Sequence, residues 1–136
     1  MTRRGQALVE LAVCLPVLLL VGLGAAQFAR LAVARAGLDA ATSAAVAAAA
    51  REPTRAAAVA VGKAAFDGVA AGYDLGPTAV LNLDPGDFGR GARFTATGRV
   101  DLVLGLAGLS GLDPAWRLTS TASARVEDWR SRPASP

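Results

Sequence analysis

One uncharged stretch near the start of the chain constrains it more than any other feature. Leu11 to Ala29 runs for 19 residues without a charge, with Arg3 and Arg4 before it and Arg30 and Arg35 after it. As an α-helix it would be about 28 Å long, close to the roughly 30 Å of a bilayer's hydrocarbon core. It therefore reads as one membrane span. Basic residues flank both ends, so counting them does not decide the orientation. A short N-terminal tail would stay inside with Arg3 and Arg4, and the larger C-terminal part would be exported.

The helical pattern continues past the span. Leu31, Val33, Ala34, Leu38 and Ala41 carry it on, and an Ala-rich run reaches Ala50. Ala has the highest helix propensity. The first credible break is Glu52-Pro53, because proline cannot continue a helix and restricts the residue before it. One helix of about 45 residues would be near 65 Å long. Gly37 and Pro16 are its weak points, and Pro16 is expected to kink or locally unwind it.

The rest of the chain is small. Of its 136 residues 53% are apolar but only 5% aromatic, a composition that suits helices and membrane better than a large aromatic core. A domain of this size buries a modest core. A second helix is expected from Thr54 to about Ala71, stopping at Gly72. Pro53 would fall in its first turn, and Val59, Phe66, Val69 and Ala70 would supply its apolar stripe.

After Gly72 the period changes to alternation. Thr78 to Leu83 is a strand candidate, and Asp84-Pro85-Gly86-Asp87 a turn in which Gly86 takes the positive φ. From Ala92 to Leu104, Phe94, Ala96, Val100, Leu102 and Leu104 share one face; Arg93, Thr95, Thr97, Arg99 and Asp101 share the other. Trp116 to Val126 repeats the pattern, with Trp116, Leu118, Ala122, Ala124 and Val126 opposite Arg117, Thr119, Thr121, Ser123, Arg125 and Glu127. Such alternation predicts an antiparallel sheet with one wet face, its dry face covered by the helices. The fold expected is thus α+β, with about three strands. The domains expected are a leader over 1–5, a long helix over 6–52 with its span near 7–30, a small extracytoplasmic domain over 53–130, and a disordered tail over 131–136. The apolar connection from Gly105 to Leu112 would fold over the sheet or form a contact patch.

Several functions are disfavoured. Without Arg3 and Arg4 the 14 basic residues become 12, against 11 acidic, so no nucleic-acid partner is indicated. The chain has no His and a single Cys, Cys14, inside the apolar run. That excludes an internal disulfide and a thiolate or imidazole zinc site within one chain, and it leaves no usual catalytic base or thiol nucleophile. Neither an enzyme activity nor a cofactor or metal is expected. Gly62-Lys63 lacks the other residues of a phosphate loop, since Ala57 and Ala64 stand where Gly and Ser or Thr belong. Asn82, Asp84 and Asp87 match no calcium-loop spacing. Arg93, Arg99, Arg117 and Arg125 share the sheet's wet face with Asp101 and Glu127, which reads as a solvated face.

The informative residues lie at the very start: Arg3-Arg4-Gly5-Gln6-Ala7-Leu8-Val9-Glu10. A carboxylate at the leading end of a membrane helix is costly unless it is neutralised or paired. Basic residues, then Gly5, then Glu10 at the fifth position after it resemble the processing site of type IV pilins and pseudopilins. That resemblance implies cleavage of the Gly5–Gln6 bond by a prepilin peptidase, leaving the new amine on Gln6. Within this class, Arg4 to Glu10, Leu15-Pro16, Gln27-Phe28-Ala29-Arg30 and the Ala-rich run to Arg51 resemble the TadE family of tight-adherence pili. Many pilins of that system carry Tyr directly after the Glu, where this chain has Leu11.

The resemblance implies a minor pseudopilin whose partners are the prepilin peptidase, the inner-membrane assembly platform, the major pilin and a sister pseudopilin, with the apolar helix in membrane lipid. It also implies a single-pass protein of the cytoplasmic membrane, its N-terminus inside and its domain outside, able to enter a surface pilus. Two other readings stay open: an uncleaved envelope protein with a small binding domain, and a secreted domain released after Gly24-Ala25-Ala26 by an ordinary signal peptidase.

Overall fold

The computed structural model describes residues 3–86, 93–103 and 115–126. It contains helices α1 (Arg3–Ala49) and α2 (Arg55–Gly72) and strands β1 (Val80–Asp84), β2 (Arg93–Val103) and β3 (Ala115–Arg125). The strands form one antiparallel sheet in the order β1-β2-β3. This is the α+β architecture expected. Asp87, Leu104, the connection from Gly105 to Leu112, Glu127 and the tail over 131–136 lie outside the described residues.

The chain divides into two compact units, Met1–Ala32 and Val33–Pro136. The second unit takes in the last part of α1. There Ala34, Leu38, Ala41, Ala45 and Ala49 are buried at three- and four-residue spacing, with Thr42 and Val46 beside them. That period places them on one helical face. Val33 falls outside the stripe and is exposed.

α2 starts at a cap rather than at a proline. The N-cap is Thr54, whose side-chain oxygen accepts the N–H of Ala57 at 3.2 Å. Pro53 therefore precedes the cap and is not in the first turn, because the hydroxyl is what satisfies an otherwise orphaned N–H. The buried face of α2 is Ala58, Gly62, Phe66 and Ala70. The expected stripe is corrected on two counts: Val59 is exposed and Val69 only half-buried. Gly62 on this face lets α2 come close to Ala45 and Ala49 of α1.

α2 ends at Gly72, as expected, and Asp74 takes the left-handed conformation at φ +52°. The N–H of Leu75 donates to the carbonyl of Ala70 at 3.1 Å, and that of Asp74 to Ala71 at 3.2 Å. This is a Schellman closure with Asp in the place usually held by glycine, and the buried Leu75 makes the apolar contact that accompanies it.

The sheet's alternation appears as expected. Phe94, Ala96, Gly98 and Val100 of β2 are buried, and Leu118, Ser120 and Val126 extend that face across β3. Phe66, Phe94, Leu38, Val100 and Thr42 are the largest side chains wholly removed from solvent. Burial of an aliphatic or aromatic side chain contributes about 1.5–3 kcal/mol, so these few residues, with the packed alanines, form the core. A second cluster joins Val46, Ala49, Ala58, Phe94, Ala96 and Val126, with Leu81 and Leu83 of β1 packed against it.

Two glycines that weaken their helices in isolation are close-contact points. A Cβ on Gly62 would lie 3.1 Å from the Ala45 carbonyl oxygen and 3.2 Å from the Ala49 Cβ. One on Gly37 would lie 2.6 Å from the Cβ and Cγ of Tyr73. The cost in helix propensity is accepted because no side chain fits there.

Candidate functional site

The candidate site is the N-terminal part of α1, which the structure builds as one helix starting at Arg3. Arg3, Arg4 and Gly5 form its leading turn, and Gln6 and Glu10 are both exposed. Residues four apart lie on the same helical face, so Glu10 sits above Gln6 by about 6 Å. Glu10 is the only acid in the chain before Asp39. The Gly5–Gln6 bond falls in the first turn, where backbone N–H groups have no helical partner. Losing residues 1–5 would therefore leave a helix that simply begins at Gln6.

Beyond Glu10 the helix is apolar on every side. Leu8, Val9, Leu11, Val13, Leu15, Val17, Leu18, Leu19, Leu20 and Val21 are each more than half exposed, and Phe28 is 73% exposed. Among the described residues, none covers the most apolar stretch of the helix. A helix apolar all round needs an apolar environment, and its length and composition suffice to cross a bilayer. Pro16 sits inside it without interrupting the helix, and the carbonyl four residues earlier loses one donor. Cys14 is exposed on this helix as a free thiol. Gly22 and Gly24 have open space around them.

The folded unit beyond residue 32 brings together no catalytic constellation among the described residues. No group of three or more metal-ligating side chains occurs there. Lys63 is exposed on α2 while Gly62 faces α1, so the two make no phosphate cradle. Asp84 has a structural partner: its Oδ1 accepts the N–H of Gly86 at 3.0 Å in the turn, where Gly86 has φ +52°.

On the sheet's wet face Asp101 and Arg117 occupy opposite register positions. Arg117 Nε donates to Asp101 Oδ1 at 2.8 Å, and Nη2 donates to Oδ2 at 3.3 Å. The hydrogen bond from Arg117 holds the Asp101 carboxyl below the usual carboxylate range, and the same bond raises Arg117. Sequence reasoning does not single out this two-point pair, though period-2 alternation on two strands already puts both residues on one face. Their register is the missing information.

An exposed apolar helix that continues into a small α+β unit is the arrangement of a single-pass membrane protein. Residues 5–52 match the family model described as TadE-like protein. That segment, about a third of the sequence, is similar to TadE-like proteins of the tight-adherence pilus system. The match covers Gly5 and nearly all of α1 and includes no part of α2 or the sheet. No curated protein and no solved structure matches the chain.

Proposed function

We propose that the chain is a minor pseudopilin, cleaved by a prepilin peptidase between Gly5 and Gln6, that acts in pilus assembly by protein contact rather than by chemistry. The observation that carries this reading is Glu10: one exposed carboxylate on a helix otherwise uncharged from Ala7 to Ala29, five residues after Gly5. Its position inside the TadE-like segment supports it. In this reading the N-terminus lies on the cytoplasmic side and the α+β unit outside. The helix sits in lipid until neighbouring subunits pack on it.

Cleavage creates a positive amine on Gln6. In a low dielectric two opposite charges, each costly alone, offset one another when one chain's Glu10 faces the amine of a neighbour. Such a pair sets the axial register of helices more than it adds net stability. The partners are then the peptidase, the inner-membrane assembly platform, the major pilin and a sister pseudopilin.

The test is the N-terminus of the protein made in its native host, read by intact mass and N-terminal peptide mapping. A start at Gln6 is expected. A start at Gln27 would mean a secreted domain, and a start at Met1 or Thr2 an uncleaved anchor; either result removes the pseudopilin reading.

A further inference from the structure

We propose that the outer edge of β3 receives an acidic, alternating strand from a different polypeptide, adding a fourth strand to the sheet. The proposal does not depend on processing at Gly5. β3 is the last strand in the sheet order, and among the described residues nothing pairs with its outer edge. It is 11 residues long, which at about 3.4 Å per residue is roughly 37 Å of open ladder. Edges of that length are usually blunted by proline, a bulge or an inward-pointing charge. Ala115–Arg125 contains no proline, and its charged residues, Arg117 and Arg125, both lie on the wet face. The other edge strand, β1, has only five residues and runs directly into Pro85.

Charge defines what fits. Arg93 and Arg125 stand directly opposite each other in the register, a like-charge pair that weakens a sheet. No ion pair among the described residues engages Arg93, Arg99 or Arg125. Of the two described acids on this face, Asp101 is held by Arg117 and Asp84 accepts the Gly86 N–H. The Asp101–Arg117 pair shows how a carboxylate placed opposite an arginine is bound here, by two hydrogen bonds. An incoming strand with Asp or Glu opposite Arg125 would repeat that geometry one strand further out.

The dry side specifies the alternate residues. Ala122 and Ala124 are only half-buried, and Trp116 is 50% exposed. A neighbouring strand would lay its own alternate side chains beside these, and small alanines leave space for bulky apolar ones. The strand that fits is therefore apolar on one side and acidic on the other.

A second copy of β3 does not meet this description. Antiparallel self-pairing centred on Thr121 sets Arg117 against Arg125 twice, and no register supplies a carboxylate. The flanking segments do not fit either. Residues 104–114 have Asp113 as their one charge, with Gly105, Gly108 and Gly111; residues 127–136 hold their acids, Glu127 and Asp128, just after β3, and continue with Arg130, Arg132, Pro133 and Pro136, so a strand returning beside β3 would be basic and interrupted by proline.

The test places a photo-cross-linking amino acid at Thr119, Thr121 or Ser123 of the full chain in its native host, with Asn82 on β1 as the reference position. The three sites are expected to link to successive alternate residues of one segment in a different polypeptide, with an Asp or Glu facing Arg125. Arg125→Glu should lower the yield by about fivefold or more, and Arg125→Lys should keep it within about twofold, as one cross-strand charge pair implies. Replacing the partner's facing acid by Arg should restore the yield of Arg125→Glu, which separates lost pairing from lost folding. Links to a second copy, to this chain's own 104–114 or 127–136, or at a yield no higher than from Asn82 would overturn the proposal. So would an Arg125→Glu yield that is unchanged, or one the charge swap does not restore.

Discussion

Gly98→Ala tests how closely the sheet lies on α1. Gly98 is buried at the middle of β2. A Cβ there would collide with Thr42 Oγ1, and would lie 3.1 Å from a Leu38 methyl and 3.2 Å from the Phe66 ring. Thr42 cannot easily turn away, because it is wholly buried and its hydroxyl donates to the Leu38 carbonyl at 2.8 Å. Overpacking of this kind costs about 1–3 kcal/mol, while replacing glycine in a strand returns about 0.5–1 kcal/mol. The clash wins, with a net loss of about 1–2 kcal/mol. With an m-value of about 1–3 kcal/mol/M, the urea midpoint should fall by roughly 0.5–1.5 M. The assay is urea unfolding of the full chain in detergent micelles, followed by tryptophan fluorescence. Thr42→Ala alone should also destabilise, by a void and a lost hydrogen bond of about 1–2 kcal/mol together. The two changes together should lose at least about 1 kcal/mol less than their sum, because removing the Thr42 hydroxyl makes room for the new methyl. Additivity within about 0.5 kcal/mol, or a Gly98→Ala protein as stable as the parent, would refute the close packing of β2 on Thr42.

Other perturbations probe the capping, core and charge arguments. Phe66→Ala should cost about 3–5 kcal/mol, since the ring is wholly buried with its edge against Gly98; the same urea titration reads it. Thr54→Ala should cost about 1 kcal/mol by removing the cap of α2, and Thr54→Asp should retain most of that stability, as seen in the thermal midpoint. The Asp101 carboxyl lies below its ordinary 3.8 when folded, so its contribution is present above that value and is lost as pH falls through the lower folded value. Between about pH 5 and pH 2 the parent should therefore lose stability more steeply than Asp101→Asn, and identical slopes would contradict the pairing with Arg117.

The turn at Asp84-Pro85-Gly86 and the alternation on β2 and β3 are legible in the sequence because each depends on local chemistry. The positive φ at Gly86 favours glycine, and a half-buried strand needs period 2. The buried face of α2 is only half legible: Phe66 and Ala70 are buried as periodicity expects, but the small Ala58 and Gly62 are buried where the larger Val59 and Val69 are expected. The end of α2 at Gly72 is legible, whereas the left-handed residue that follows it is Asp74 rather than a glycine.

For the candidate site the division is clearer still. The basic start, Gly5, Glu10 and the uncharged run to Ala29 are all close together in sequence, so a helix apolar and long enough to cross a bilayer, and the likeness of residues 5–52 to TadE-like proteins, follow from the sequence by itself. A helix needs no distant partner to place residues one turn apart. Tertiary structure alone decided which faces meet: that Gly37, Gly62 and Gly98 are close-contact points, that Asp101 pairs with Arg117, and that Arg93 of β2 is set against Arg125 of β3. Those facts depend on register and on the approach of elements far apart in the chain, which no local pattern encodes.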